Sequence, residues 1–438
     1  MNAAVLDRAF GGLGCLVASR AAEHLGHPTE RVQPIESYDL DVPDLAVMLR
    51  RVPTVAEYAA LLLALLPHIH PDFIERIVTR VLPEGAELPE FGGVRGANHR
   101  GVLPTGETAQ FVLVGDDLAG RLDVQRMLSG DHWFARERVL WLEEVPEGEP
   151  VMSGRLILDP EVVERLTTGS VTLPEFSASF PAEHIETELG WDDVVLPPET
   201  LRQLREVENW VRFHDAIHGE WDMSRRVKPG YRALFHGPPG TGKTLTATLL
   251  GRSTRRPVFR IDLSRVVSKY VGETEKNLAR LFDKAEHKDW ILFFDEADAL
   301  FGKRTDIRDA HDKYANQEVA YLLQRIESHH GLVILATNQR GNIDEAFLRR
   351  FQASVRFPLP QPDERRGIWL KVFPEQVPVA RDVDWGAISG RFELTGAGIV
   401  NVAHFCAIEA LAGTVPAVDR AFLEAAILRE LVKEGKLV

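Results

Sequence analysis

YRALFHGPPGTGKTLTATLL, Tyr231 to Leu250, is the stretch on which the fold turns. It opens as an apolar run suited to a buried strand and passes directly into GPPGTGKT, Gly237 to Thr244. That octet has the form G-x-x-x-x-G-K-T in its required setting, a strand before it and a helix after it. Gly237, Gly240 and Gly242 let backbone N–H groups turn inward around phosphate oxygens, where a Cβ would stand in the way. Pro238, Pro239 and Thr241 complete the loop. Lys243 reaches the β- and γ-phosphates as a point charge, the Thr244 hydroxyl ligates Mg2+, and the following helix adds its positive end. The implied ligands are therefore ATP and Mg2+. Glycines alone signal little. FGGLG, Phe10 to Gly14, has neither the lysine nor a preceding strand and carries no such implication.

On both sides of the loop the pattern is regular. YRALFHG, PVFRIDL, WILFFDEAD and GLVILATN read as strands, and TLTATLLGRST, EKNLARLFDKAE and QEVAYLLQRIES as the helices between them. Continuous apolar strands alternating with amphipathic helices mean a parallel sheet covered on both faces. ILFFDEAD puts Asp295 and Glu296 at the C-terminal end of such a strand, the edge where ligands gather in open α/β sheets. Adjacent strand residues point to opposite faces and can take different roles. Asp295 is expected to hold Mg2+, and Glu296 to orient and deprotonate the attacking water. An acidic loop accounts for Asp298 but not for a carboxylate behind four apolar residues. Asn338 ends LVILATN, where an amide beside the γ-phosphate positions water or senses hydrolysis. Arg349 and Arg350 follow about ten residues later, and a guanidinium on the developing charge strongly aids phosphoryl transfer.

Composition narrows the function classes. The chain has 438 residues, 45% of them hydrophobic and 26% charged, as expected of a soluble protein of several domains. A net charge of −14 argues against a main task of gripping nucleic-acid phosphates. Cys15 and Cys406 cannot build a disulfide framework or a cysteine zinc site. The N-terminus has no basic flank before an apolar core, and Ala59–Pro67 is too short to span a bilayer. A cytoplasmic protein without a membrane segment is expected. His68, His70, His329 and His330 lack metal-ligand spacing with carboxylates.

The expected organisation has five parts. Residues 1–82 are a helical region punctuated by Pro43, Pro53, Pro67 and Pro71. Residues 83–180 are a small mixed α/β, winged-helix-like module. In it QFVLVG (Gln110–Gly115) and VLWLEEV read as strands, and Asp159, Pro160 and Gly169 cap, start and stop a helix. Residues 181–200 are a linker, 201–359 the nucleotide-binding domain and 360–438 a helical lid.

GPPGTGKT, FFDEAD, ATN and LRRF, in this order and at these separations, resemble the AAA+ ATPases, and most nearly the AAA branch that includes katanin and spastin. The likeness covers residues ~186–438. It implies that Arg349 and Arg350 reach the active site of an adjacent subunit, and hence a homo-oligomer, usually a hexamer. It implies that Gly396 and Ala397 in LTGAGI pack near the adenine, with Val194 and Val195 of WDDVV on the other side. Gly398 stands where the family has an acid. It also accounts for SKYVGETEKN, where an aromatic sits in a polar loop. Katanin and spastin carry a similar segment facing the central channel, so Lys269, Tyr270, Val271 and Gly272 are expected to grip a threaded protein. The loop Thr305–Asn316 would be a second channel loop, and its mixed charges make no phosphate track. RGVLPTGETAQFVLVGDDL and neighbouring phrases are similar to ATPases encoded with bacterial contractile injection systems. An ATP-driven protein-remodelling motor is the expectation. A nucleotide-switched scaffold and, behind it, a nucleic-acid motor are the alternatives.

Overall fold

The computed structural model describes residues 3–26, 33–49, 51–81, 89–177, 180–218, 230–263, 273–286, 288–297, 320–342, 348–413 and 417–436, with 221, 223, 226 and 227. Lys269 to Gly272 and Thr305 to Asn316 lie outside the described residues. The chain forms two compact units, Met1–Leu173 and Pro174–Val438. Among the described residues no helix is long and apolar enough to cross a membrane.

The first unit is built on α1 (Ala3–His24), α2 (Pro43–Leu49), α3 (Val55–Ile69) and α4 (Phe73–Val81). Every residue of α3 from Glu57 to Leu66 is buried. A helix apolar all round needs neighbours on every side, and α3 has them: α1 packs on it, and so do elements from beyond residue 83. One core cluster therefore runs from Leu6 to Leu166, and the division expected at residue 82 does not separate two cores. Thr54 caps α3 by accepting from the Glu57 N–H, and the Glu57 carboxylate accepts from the Thr54 N–H at 2.6 Å. The same buried carboxylate accepts from Trp133 Nε1 at 2.6 Å and lies 3.1 Å from His132 Nε2. Burial alone would raise its pKa. The donors from Thr54 and Trp133, with His132, outweigh burial and hold it below the usual range.

Beyond α4 come β1 (Val94–Arg95), β2 (Val102–Leu103), α5 (Gly106–Val114), α6 (Leu118–Met127), α7 (Trp133–Arg136), β3 (Leu140–Leu142), β4 (Leu156–Leu158) and α8 (Pro160–Thr167). QFVLVG is thus helical, not a strand. Thr105 caps α5 in a reciprocal pair with Thr108, and this N-terminal signal outweighs the β-prone composition. VLWLEEV does contribute a strand, and Asp159 caps α8 with Pro160 in its first turn. β3 and β4 pair antiparallel. The chain leaving β2 meets the start of β4 through a Thr105–Arg155 bridge, with Leu156 N–H donating to Pro104 O at 2.8 Å. Three helices, α5, α6 and α7, therefore lie between β2 and the β3–β4 pair.

The second unit holds a six-stranded sheet of order β10-β6-β9-β8-β7-β5. Its strands are β5 (Glu183–Ile185), β6 (Tyr231–His236), β7 (Val258–Asp262), β8 (Ile291–Asp295), β9 (Leu332–Thr337) and β10 (Ala353–Arg356). All pairs are parallel except β5 on β7. β5 comes from the segment expected to be a linker. Its Pro- and acid-rich composition hides three residues that complete an edge, where every second backbone group needs no partner. The helices are α9 (Pro198–His218), α10 (Lys243–Thr254), α11 (Glu273–Ala285) and α12 (residues 320–328). Leu204, Val207 and Val211 of α9 join the core on the sheet. Four further helices, α13 (Pro362–Val372), α14 (Trp385–Arg391), α15 (Gly396–Leu411) and α16 (Arg420–Lys433), enclose a core of their own around Trp369, Ile399 and Ile427. This mixed α/β body with a helical part is the fold class expected from the alternation of strands and helices.

Candidate nucleotide site

The sheet order sets the site. β9 lies between β6 and β8, so the C-terminal end of β9 brings Asn338 between the loop after β6 and the carboxylate ending β8. The loop holds the backbone shapes that its glycines permit. Gly240 and Gly242 have φ of 74° and 97°. A Cβ on Gly237 would lie 1.9 Å from the Phe357 carbonyl oxygen. One on Gly240 would lie 2.8 Å from Thr395 Oγ1 at the start of α15. The lid docks at that point, with Ala397 N–H donating to Gly240 O at 3.0 Å.

Lys243 is buried, and its ammonium donates to Gly237 O at 2.7 Å, Pro238 O at 2.9 Å and Asn338 Oδ1 at 2.8 Å. The loop lysine and the asparagine expected to sense the γ-phosphate are therefore in direct contact. Asp295 ends its strand half-buried. Burial raises its pKa against the opposing pull of the Glu296 N–H, Arg260 and Lys243. Glu296 is exposed and has a φ of 53°, a left-handed conformation rare outside glycine. Its N–H donates to Asp295 Oδ1 at 3.0 Å, and the Ala297 N–H returns to the Ala336 carbonyl at 2.9 Å. The chain thus kinks at the two adjacent acids. His236, buried just before the loop, is pushed down to about 4 by burial, with Arg340, Arg356 and Lys243 adding to it. It is neutral at physiological pH.

A cavity of about 720 Å³ opens here. Pro239, Gly240, Thr241, Gly242, Lys243, Thr244, Asp295, Glu296 and Asn338 line it, and so do Val194, Val195, Gly396 and Ala397. Gly237 and Pro238 shape the loop behind that lining. Leu196, Ile368, Val372 and Val400 make one end apolar. Of these, Ile368 and Val372 belong to a face of α13 that sequence reasoning did not single out, together with Glu364 and Lys371. Their i, i+4, i+7, i+8 spacing is a readable signal, but it marks a core-facing stripe equally well. Arg349 and Arg350 are exposed and do not line the cavity. Arg350 pairs with Glu327 of α12. Among the described residues no group of three His, Cys, Asp or Glu could hold a metal ion. The cavity wall offers oxygen donors at Thr244, Asp295 and Glu296, the ligand type that Mg2+ takes while keeping several waters.

Residues 233–359 match the model of the AAA family, described as the ATPase family associated with various cellular activities. An uncharacterized AAA family ATPase of Sinorhizobium fredii is 36% identical over 216 residues, covering 48% of this chain and 62% of that protein. Proteasome-activating nucleotidase 2 of Halobacterium salinarum is 34% identical over 209 residues, 46% of this chain and 50% of the relative. A cell division cycle protein 48 homolog of Archaeoglobus fulgidus is 27% identical over 317 residues, 67% of this chain and 41% of the relative. The chain thus carries an AAA ATPase domain, and it spans less than two thirds of the length of these curated relatives.

Proposed function

We propose that this chain is an ATP-hydrolysing ring motor that remodels, threads or disassembles a protein substrate through a central pore. The observation that carries the reading is the convergence of Lys243, Thr244, Asp295, Glu296 and Asn338 on a cavity that also has an apolar end. A nucleoside triphosphate has the same polarity, anionic at one end and a flat base at the other. The volume lies within the usual range for small-molecule sites. The loop N–H groups and Lys243 bind the phosphates. Thr244 and Asp295 are the residues that would hold Mg2+, which neutralises phosphate charge when bound. Glu296 orients and deprotonates the attacking water, and Asn338 positions it. Val194 and Val195 face Gly396 and Ala397 across the base. Lys243→Ala is expected to abolish binding of a fluorescent ATP analogue, and Glu296→Gln to bind ATP without turnover. Wild-type affinity in Lys243→Ala sinks the assignment.

Arg349 and Arg350, exposed and away from their own cavity, suit a role in a neighbouring subunit's site, and hence a hexameric ring of the katanin and spastin kind. Tyr270, with Lys269, Val271 and Gly272, is assigned to gripping the substrate. Tyr270→Ala is expected to stop processing of an unfolding reporter while ATP still binds. Two relatives are named for proteasome activation and for the cell division cycle protein 48 group, and such names favour a protein substrate. Residues 1–173 carry 26 acidic residues against 15 arginines and no lysine. The antiparallel β3–β4 pair after α5, α6 and α7, with the Thr105–Arg155 bridge back to the chain before those helices, supports a winged-helix-like module, and its charge speaks for a protein partner over nucleic acid. A component of a contractile injection system is the substrate that the sequence likeness favours. A pull-down with Glu296→Gln and ATP tests it.

A further inference from the structure

The helix α13 turns Glu364, Ile368, Lys371 and Val372 toward the nucleotide cavity. Opposite stands the strip from Val194 to Leu196, which follows a 3-10 turn at Trp191–Asp193. That turn is braced. Gly190 N–H donates to Asp193 Oδ2 at 2.7 Å, and Val194 N–H donates to Trp191 O at 3.4 Å. Two contacts tie α13 to the strip. Gly367 packs on Val195 so closely that a Cβ there would lie 3.2 Å from both valine methyl carbons. One helical turn on, the Lys371 ammonium donates to the carbonyl oxygen of Asp192.

We propose that Lys371 is a clasp across the apolar end of the cavity and sets how long the nucleotide stays bound. The proposal rests on reading this cavity as the ATP site. A base seated between Val195 and the lid leaves when α13 and the 192–195 strip part. The Lys371 bond must then break, and so must the Gly367–Val195 contact. A cation on a carbonyl is a charge-assisted bond, stronger than its neutral counterpart. Lys371 is exposed, so water offers its ammonium a substitute partner and the effect is several-fold rather than thousand-fold. Lys371 acts through the position of α13 and is a positioning residue, not a catalytic one.

The test measures release of a fluorescent ADP analogue by stopped flow, in the full chain, for wild type, Lys371→Met and Lys371→Arg. Methionine keeps an apolar stem and removes the donor, whereas arginine keeps a donor. Release is expected to quicken about three- to ten-fold in Lys371→Met and to return near wild type in Lys371→Arg. The KM for ATP rises in step, and kcat does not fall. Gly367→Ala checks the second contact. Alanine favours the helix over glycine, yet its methyl crowds Val195 and is expected to hasten release. If wild type binds the analogue and Lys371→Met releases it at the wild-type rate, the clasp is wrong and the site stands. If wild type binds no nucleotide, the site reading fails and the clasp with it.

Discussion

Removing the Glu327 carboxylate separates two roles for Arg350. The pair lies at the surface, with the Arg350 and Glu327 side chains 47% and 38% exposed. An exposed ion pair contributes about 0–1 kcal/mol. Releasing Arg350 from Glu327 therefore shifts its availability by about five-fold at most. A guanidinium supplied to a phosphoryl-transfer transition state is worth about 10³–10⁵ in rate. The two magnitudes are far enough apart to decide the matter. Glu327→Ala leaves its backbone carbonyl, which accepts from Arg232 Nη1 at 3.0 Å. The Gln352 side chain still accepts from the Arg232 N–H at 2.8 Å, so the chain beside Arg350 keeps its anchor.

Steady-state ATP hydrolysis, measured across protein concentrations, is expected to fall about a thousand-fold or more in Arg350→Ala. In Glu327→Ala it should stay level or rise up to about five-fold. A mixing experiment tests the direction of supply. Arg350→Ala subunits keep an intact Glu296, and Glu296→Gln subunits keep an intact Arg350, so mixed assemblies are expected to recover activity. Were Glu327→Ala to lose as much as Arg350→Ala, the pair would be holding Arg350 in its working position. The reading of Glu327 as a resting partner that Arg350 leaves to act would then be refuted. No recovery on mixing would refute action in a neighbour's site.

Three further outcomes follow from contacts already described. Gly240→Ala forces a φ of 74° on a residue with a Cβ and drives it against Thr395, so ATP affinity is expected to drop at least about ten-fold by equilibrium titration. Trp133→Phe leaves the buried Glu57 carboxylate short of a donor and is expected to cost the first unit about 1–3 kcal/mol, read from its urea unfolding transition. Acid should weaken the same unit in two stages. Burial depresses the His132 pKa despite Glu57, so protons favour the unfolded chain as pH falls below 6.5. Glu57, also depressed, adds its loss as pH falls below 4.5. His132→Gln is expected to remove the upper stage from a pH series of melting curves.

What the sequence made legible follows the locality of the physics. Gly240 and Gly242 must take positive φ whatever surrounds them, and the apolar strand before Asp295 must be buried, so both can be read residue by residue. QFVLVG misled because its composition suits a strand, while the deciding signal is the Thr105–Thr108 cap just upstream of Gln110. The edge strand Glu183–Ile185 was illegible because three residues on an edge need little apolar patterning. Arg350 could be found in LRRF, but its tie to Glu327 joins residues distant in sequence, one on α12 and one just before the edge strand β10, and depends on the tertiary fold.

The lid shows the limit most clearly. Its helices announce themselves by period, yet period alone cannot say which stripe builds a core and which walls a cavity. In α13 the two are interleaved. Trp369 is buried in the lid core, while Ile368 and Val372 pack against that core and also line the cavity. The anchors that hold these helices in place lie elsewhere: the Ala397 N–H on the Gly240 carbonyl, and the buried Arg365 guanidinium on the Ser389 and Pro360 carbonyls at 2.8 Å and 2.5 Å. One of those anchors is the phosphate loop itself. The Gly240 carbonyl thus ties α15 to the loop that carries Lys243, at a position whose side chain is a single hydrogen atom.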